Sequence, residues 1–381
     1  MQPKAARNIS IEALRLVAVA GIAIFHTFQW TFQATCVGIV EYAPLAAFPY
    51  SGLLGFINLL GCWANEVFFM ISGYFLIASS ARAWDGGATW KSQMQRTAQR
   101  LGKAILPTVF YCLVALAWST VVSPIPDVAL NTHYWYTLGL EFIWVYAATV
   151  FMAQWFGLAK SRLSQKSCTM TVIAVGILAF VVNGYLAAMS ATSGGEFSWL
   201  QKLMSAVTYV IAFLIGGLLR DVTDAMDSDR AGTLGMRSLG TVLVLTIVLE
   251  GELSFTGNLT AMATLSYKST SLISFALAAV SLLFAATRRS ASGNPRTADA
   301  IVALSTATLG FYVMQSLTSS LWRPVFNALL VNILVIQNSP AAICIVTGTV
   351  ISIVFALALL IIDAARSLIV RKLKQRSTHQ R

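Results

Sequence analysis

Residues 11–32 read IEALRLVAVAGIAIFHTFQWTF, an apolar run of membrane-spanning length that nevertheless carries an arginine, Arg15, and a histidine, His26. At 100° per residue the two lie within about 20° of one helix face, and about 16 Å apart along the axis. An ionisable side chain in hydrocarbon is costly, so two of them on one face predict a polar route through a helix bundle.

The rest of the chain fits a bundle. Of its 381 residues, 57% are hydrophobic and 11% charged, and mean hydropathy is +0.72. These values predict an all-α, polytopic integral membrane protein. Ten apolar windows fall near 11–32, 53–78, 104–122, 134–158, 168–190, 200–219, 238–255, 265–287, 301–321 and 340–363. The seventh is cut short by Glu250 and Glu252, and the ninth extends if the apolar stretch 325–336 joins it. Placing both termini in the cytoplasm puts Lys and Arg on the inner side, as short cytoplasmic loops require. Only four of the 26 then fall elsewhere: Lys202, Lys268 and Arg323 on the outer side, and Arg15 inside the first span. The net charge of +11 thus reads as topology plus attraction to anionic lipid, not as a nucleic-acid surface.

The chain is expected to form one membrane domain over residues 1–381. The first apolar segment contains Glu12 and Arg15 and lacks a small-x-small exit site, so it is expected to stay as a span and not to be cleaved. Cys36, Cys62, Cys112, Cys168 and Cys344 have no C-x-x-C spacing, which argues against a disulfide framework or a zinc site; no metal is expected. Asn8 and Asn258 begin Asn-x-Ser/Thr triplets too common to carry weight. No inverted repeat is evident. The longest inner connection, 79–103, reads as a basic amphipathic helix with Arg96, Arg100 and Lys103 at i, i+4 and i+7. It is either a solvated positive face or a clamp for an anionic cytosolic ligand, since guanidinium groups pair well with phosphate.

Depth arithmetic places the polar residues. With the inner boundary near Ile11, Arg15 lies about 6 Å and His26 about 22 Å into a core about 30 Å thick. The bland alternatives are snorkelling for Arg15 and a structural hydrogen bond for His26. A neutral imidazole at that depth is suited to accept a proton. Glu66 in the second span lies about 18 Å from the outer boundary and Glu141 in the fourth about 12 Å, beneath an interface marked by His133, Trp135 and Tyr136. Either carboxylate can orient or charge-stabilise the imidazole, and both readings stand beside plain structural hydrogen bonding.

Two motifs resemble those of the membrane acyltransferase 3 family, bacterial multi-span enzymes that transfer acyl groups to surface polysaccharides and related acceptors. Arg15 leading to His26 is similar to its R-x10-H signature. Glu66-Val67-Phe68-Phe69-Met70-Ile71-Ser72-Gly73-Tyr74 resembles its acidic-x-F-F-x-x-S-G-Y second-span motif. Arg96, Arg100 and Pro107 resemble its basic lead-in to the third span, and 133–141 its aromatic and acidic fourth-span segment. The resemblance implies an acyl-CoA-dependent O-acyltransferase of the bacterial cytoplasmic membrane, with acetyl-CoA the family's most frequent donor and a glycan or other hydroxyl acceptor as partner. It implies that Arg15, Arg96 and Arg100 hold the coenzyme phosphates. His26 then deprotonates the acceptor hydroxyl or briefly carries the acyl group, assisted by Glu66 or Glu141. Ser72 either hydrogen-bonds near the reacting carbonyl or serves helix packing beside Gly73. One departure stands out: where many members end a late-span motif in histidine, this chain has Leu309-Gly310-Phe311-Tyr312-Val313-Met314-Gln315. Glutamine carries no proton, so Gln315 is left with hydrogen bonding. The rival readings are a transporter or flippase for an anionic or lipid-linked substrate, using the same polar residues as a relay, and a scaffold subunit of a glycan-modifying complex. The oligomeric state is left open.

Overall fold

The computed structural model describes residues 8–126, 128, 140–193, 198–265, 271–288, 294–337 and 340–379. His133, Trp135, Tyr136 and Lys268 lie outside the described residues, as do 134–139 of the fourth expected span and 266–270 of the eighth.

Helix α1 (Ile9–Cys36) starts where the Asn8 side chain accepts hydrogen bonds from the amides of Ser10 and Ile11 at 3.0 and 3.3 Å, an N-cap that occupies otherwise unpaired donors. The short α2 (Ala43–Ala46) leads into α3 (Tyr50–Asp85), and α4 (Trp90–Val121) follows a turn at Gly86 and Gly87. Gly87 has φ +77°, a conformation that favours glycine. The expected single basic helix over 79–103 is therefore two pieces: the last turns of α3, then the first turns of α4. Next come α5 (Glu141–Arg162), α6 (Gln165–Ser193), α7 (Ser198–Ala225), α8 (Ser228–Phe255), α9 (Leu259–Leu265) and α10 (Leu272–Thr287). The chain closes with α11 (Pro295–Ser305), α12 (Thr308–Leu317), α13 (Ser319–Val331), a π-helical turn Asn332–Ile336, and α14 (Ala341–His379).

Among the described residues nine helices are long and apolar enough to cross a membrane, or ten when the pair α11 and α12, bent by 43°, counts as one crossing. The fold is thus an all-helical, multi-span membrane bundle of the expected class. The ninth crossing differs from the expected straight span over 301–321. The Ser305 and Thr306 hydroxyls donate to the carbonyls of Val302 and Ala303 at 3.1 and 2.7 Å, and Thr318 donates to Met314 at 2.7 Å. The helix is interrupted after each set, at Thr306–Ala307 and at Thr318. Residues 319–336 then form a further apolar helix.

Helix α3 is the hub, packed by α1, α5, α7, α8 and α10. Lipid tails give helices little hydrophobic reason to associate, so close backbone approach and interhelical hydrogen bonds carry the packing. A methyl group added at Gly73 would collide with the Phe213 carbonyl of α7, and one at Gly216 with the Met70 carbonyl of α3. Trp63 Nε1 donates to Ser281 Oγ at 3.1 Å, Asn65 Nδ2 to Tyr209 Oη at 3.1 Å, and Ser352 Oγ to Thr27 Oγ1 at 2.8 Å.

Candidate functional site

A cavity of about 350 Å³ opens between α1, α3, α4, α5 and the break between α11 and α12. Three cations line it: Arg15 from α1, and Arg100 and Lys103 from α4. Arg15 NH1 also donates to Glu12 Oε2 at 3.0 Å, one turn back, so part of its charge is compensated within α1. Arg100 NH2 donates to Ser79 Oγ at 3.2 Å, anchoring it beside the end of α3. Thr308 and Leu309, the first residues of α12, belong to the same wall, so a helix N-terminus with its partial positive charge faces the same space. Beyond the cations the walls are apolar and aromatic, with Phe68, Phe142, Tyr146 and Tyr312. The result is a basic mouth on an apolar slot, chemistry that fits an anionic head carrying an uncharged tail.

The far wall is positioned by a buried polar tie. Asp363 of α14 accepts from Tyr111 Oη and from Arg366 Nε, both at 2.7 Å. A Cβ at Gly310 would strike the Asp363 carboxylate, so the glycine lets α12 lie on α14 and sets Tyr312 against Phe142, ring centroids 4.7 Å apart.

His26 lies one helical turn past Ile22, where the lining of the cavity from α1 stops. Its Nδ1 is 3.0 Å from a terminal guanidinium nitrogen of Arg323 on α13. Arg323 stacks beside the Trp322 ring at 5.6 Å, and its Nε is buried with no hydrogen-bond partner among the described residues. Tyr312, on the cavity wall, lies within electrostatic reach of both Arg323 and Glu141.

Of the residues singled out in the sequence, Arg15, Arg100 and Ser72 meet in the cavity. Ser72 Oγ donates to the Phe68 carbonyl of its own helix at 2.8 Å. Arg96 sits on the exposed face of α4 and is absent from the cavity wall. Glu141 is the first residue of α5, a favourable end for a carboxylate, beside Tyr312. Glu66 lies elsewhere: fully buried near Cys62 and Ser274, with neither carboxylate oxygen hydrogen-bonded among the described residues. The side chains that touch the His26 ring polar atoms among the described residues are Arg323 and Gln29. The side-chain amide of Gln315 is likewise buried without a partner among the described residues.

Sequence reasoning assigned Arg323 to the outer surface, because the ninth span was closed at 321. The signal was present: an arginine followed by the apolar run 325–336 obeys the same rule that flagged Arg15. Lys103 was read with Arg96 and Arg100 as one possible clamp for an anionic ligand, whereas Tyr312 was visible as a motif residue but had no assigned place in a site. Among the described residues no group of three or more His, Cys, Asp or Glu side chains is arranged to hold a metal ion.

The family model described as an acyltransferase domain, of acyltransferase type 3, matches residues 8–359. No curated protein and no solved structure matches the chain.

Proposed function

The chain belongs to the type 3 acyltransferase family, and on that premise we propose that it carries an acyl group, acetyl in the first instance, from cytosolic acyl-CoA to a hydroxyl of a glycan or other surface molecule across a bacterial cytoplasmic membrane. The observation that carries this reading is the meeting of Arg15, Arg100 and Lys103 at the mouth of one apolar slot whose wall runs along α1 to Ile22. The coenzyme phosphates pair with these cations and with the first turn of α12. The pantetheine arm follows the face shared by Arg15 and His26, about 16 Å long. The remaining gap is the turn between Ile22 and His26, beside Tyr312. There the acceptor oxygen bonds to the thioester carbon, the carbon–sulfur bond breaks, and the hydroxyl proton leaves on the coenzyme sulfur. His26 assists that exchange, Glu141 supplies negative charge beside Tyr312, and Glu66, buried away from the slot, takes a structural part in α3. Ser72 lines the donor slot, with Gly73 beside it serving the packing of α3 on α7.

Purified protein in lipid nanodiscs, given acetyl-CoA and envelope glycan, should release free coenzyme thiol. His26→Ala should reduce that release by about 10²- to 10⁴-fold while coenzyme binding persists, and Arg15→Ala should weaken coenzyme binding. Normal turnover by His26→Ala, or movement of substrate without thiol release, overturns the proposal; the second outcome identifies a carrier. Mass spectrometry of the modified glycan then names the acyl group and the acceptor position.

A further inference from the structure

The hydrogen bond between Arg323 and His26 fixes more than the orientation of the ring. A guanidinium only donates, so at 3.0 Å the Nδ1 atom of His26 must present its lone pair. An imidazolium there would set two N–H donors and two positive charges against each other. A neutral ring whose Nδ1 accepts carries its one hydrogen on Nε2. In that tautomer neither nitrogen is free to take the acceptor's proton: Nδ1 is occupied and Nε2 already bears hydrogen. What the ring offers is one N–H, which the Gln29 side chain one turn along α1 also contacts and which the acyl carbonyl takes over from it. We propose that Arg323 is a positioning residue that holds His26 in the Nε2–H tautomer, so that His26 meets the acyl carbonyl as a hydrogen-bond donor and not as a general base.

The inference rests on the acyl-transfer reading and deepens it. As the acceptor oxygen adds to the thioester carbon, the carbonyl oxygen gains negative charge, and the Nε2–H holds that charge. When the carbonyl re-forms, the carbon–sulfur bond breaks and the hydroxyl proton ends on the coenzyme sulfur; His26 is unchanged throughout. Arg323 is built for a fixed task. It stacks beside Trp322, its Nε has no partner among the described residues, and the described contact of its terminal nitrogens is with the ring. His26 follows Ile22, the last α1 residue on the cavity wall, by one turn on the same helix face, which puts the pair next beyond the donor slot.

Nitrogen-15 NMR of histidine-labelled protein in bilayers reads the tautomer directly. The chain has three histidines, and the His26 signals are those lost in His26→Gln. The expected spectrum has an unprotonated Nδ1 and a protonated Nε2; the reverse pattern overturns the proposal. Arg323→Lys keeps a donor and should keep the pattern, whereas Arg323→Glu supplies an acceptor and should reverse it. The same spectrum in wild type and Arg323→Glu overturns the role of Arg323. In turnover, His26→Gln retains an N–H donor but no proton-accepting nitrogen, so it should exceed His26→Ala by at least about 10-fold. Equal loss in both variants overturns the donor role and leaves acyl transfer standing with His26 as base. Full activity in both overturns the acyl-transfer site itself.

Discussion

Arg96 and Arg100 stand one turn apart on α4, yet only Arg100 lines the cavity. An i, i+4 spacing puts two side chains on one helix surface but does not say which of them the neighbouring helices cover. That is settled by the start of α4 after the Gly86–Gly87 turn and by the bond from Arg100 to Ser79. A charge-assisted contact to phosphate is worth about 1.5–3 kcal/mol, so Arg100→Ala should raise KM for acyl-CoA by about 10-fold or more with a smaller effect on kcat. Arg96→Ala, a change to an exposed charge, should alter KM by less than about 2-fold. Steady-state kinetics on the two variants checks both, and equal effects refute the assignment. The Arg15–His26 pair was legible because its positions share a face of one continuous helix. The Arg323–His26 pair was not, because it joins positions 297 residues apart, and no single-helix periodicity spans that separation.

The helices themselves were easier to read than their breaks. Long apolar runs announce α1, α3, α7 and α14 because the bilayer demands both length and hydropathy. The breaks around Thr306 and Thr318 contain no proline or glycine; hydroxyls turn back on their own helix there, as they also do inside the unbroken α1 at Thr27 and α10 at Ser281, so the local sequence does not mark them. The Ser72–Gly73 step was ambiguous in the same way, and the structure divides it: Gly73 admits the α7 backbone while Ser72 faces the cavity. Contact between two backbones leaves no flexible atom to yield. Gly73→Ala and Gly216→Ala should each cost about 1–3 kcal/mol or more, as overpacking does. Gly184→Ala in α6, where an added methyl group meets nothing within 4 Å, should be neutral or slightly stabilising, since alanine is the better helix former. Thermal unfolding followed by size-exclusion in detergent distinguishes these outcomes. A Gly73→Ala protein as stable as Gly184→Ala contradicts the close approach of α3 and α7.

At the scale of the whole molecule, a chain of contacts gathers the cation-rich helix ends on one face. Asn8 Nδ2 at the start of α1 donates to the Ala286 carbonyl near the end of α10 at 3.4 Å. Gly235, near the start of α8, abuts Phe284 and Thr287 of that same end of α10. Lys160 at the end of α5 pairs with Asp221 at the end of α7, and Gly157 of α5 packs on Ser80 of α3. Arg100 ties the start of α4 to Ser79. The basic cavity opens among these ends, so on the proposed reading, with positive charge inside, the face that sets insertion is also the face from which the donor enters. The coupling has a direct consequence for an impermeant donor. In proteoliposomes of mixed orientation, acyl-CoA added outside should be used only by molecules whose cation-rich face points outward, and opening the vesicles with detergent should raise the rate. Trypsin added to sealed vesicles cuts only outward-facing connections, which carry most of the Lys and Arg in those same molecules, and should abolish the external activity while sparing the latent fraction. A rate unchanged on opening, with coenzyme shown not to cross the bilayer, means that both faces admit the donor, and the one-sided basic slot is then not its route.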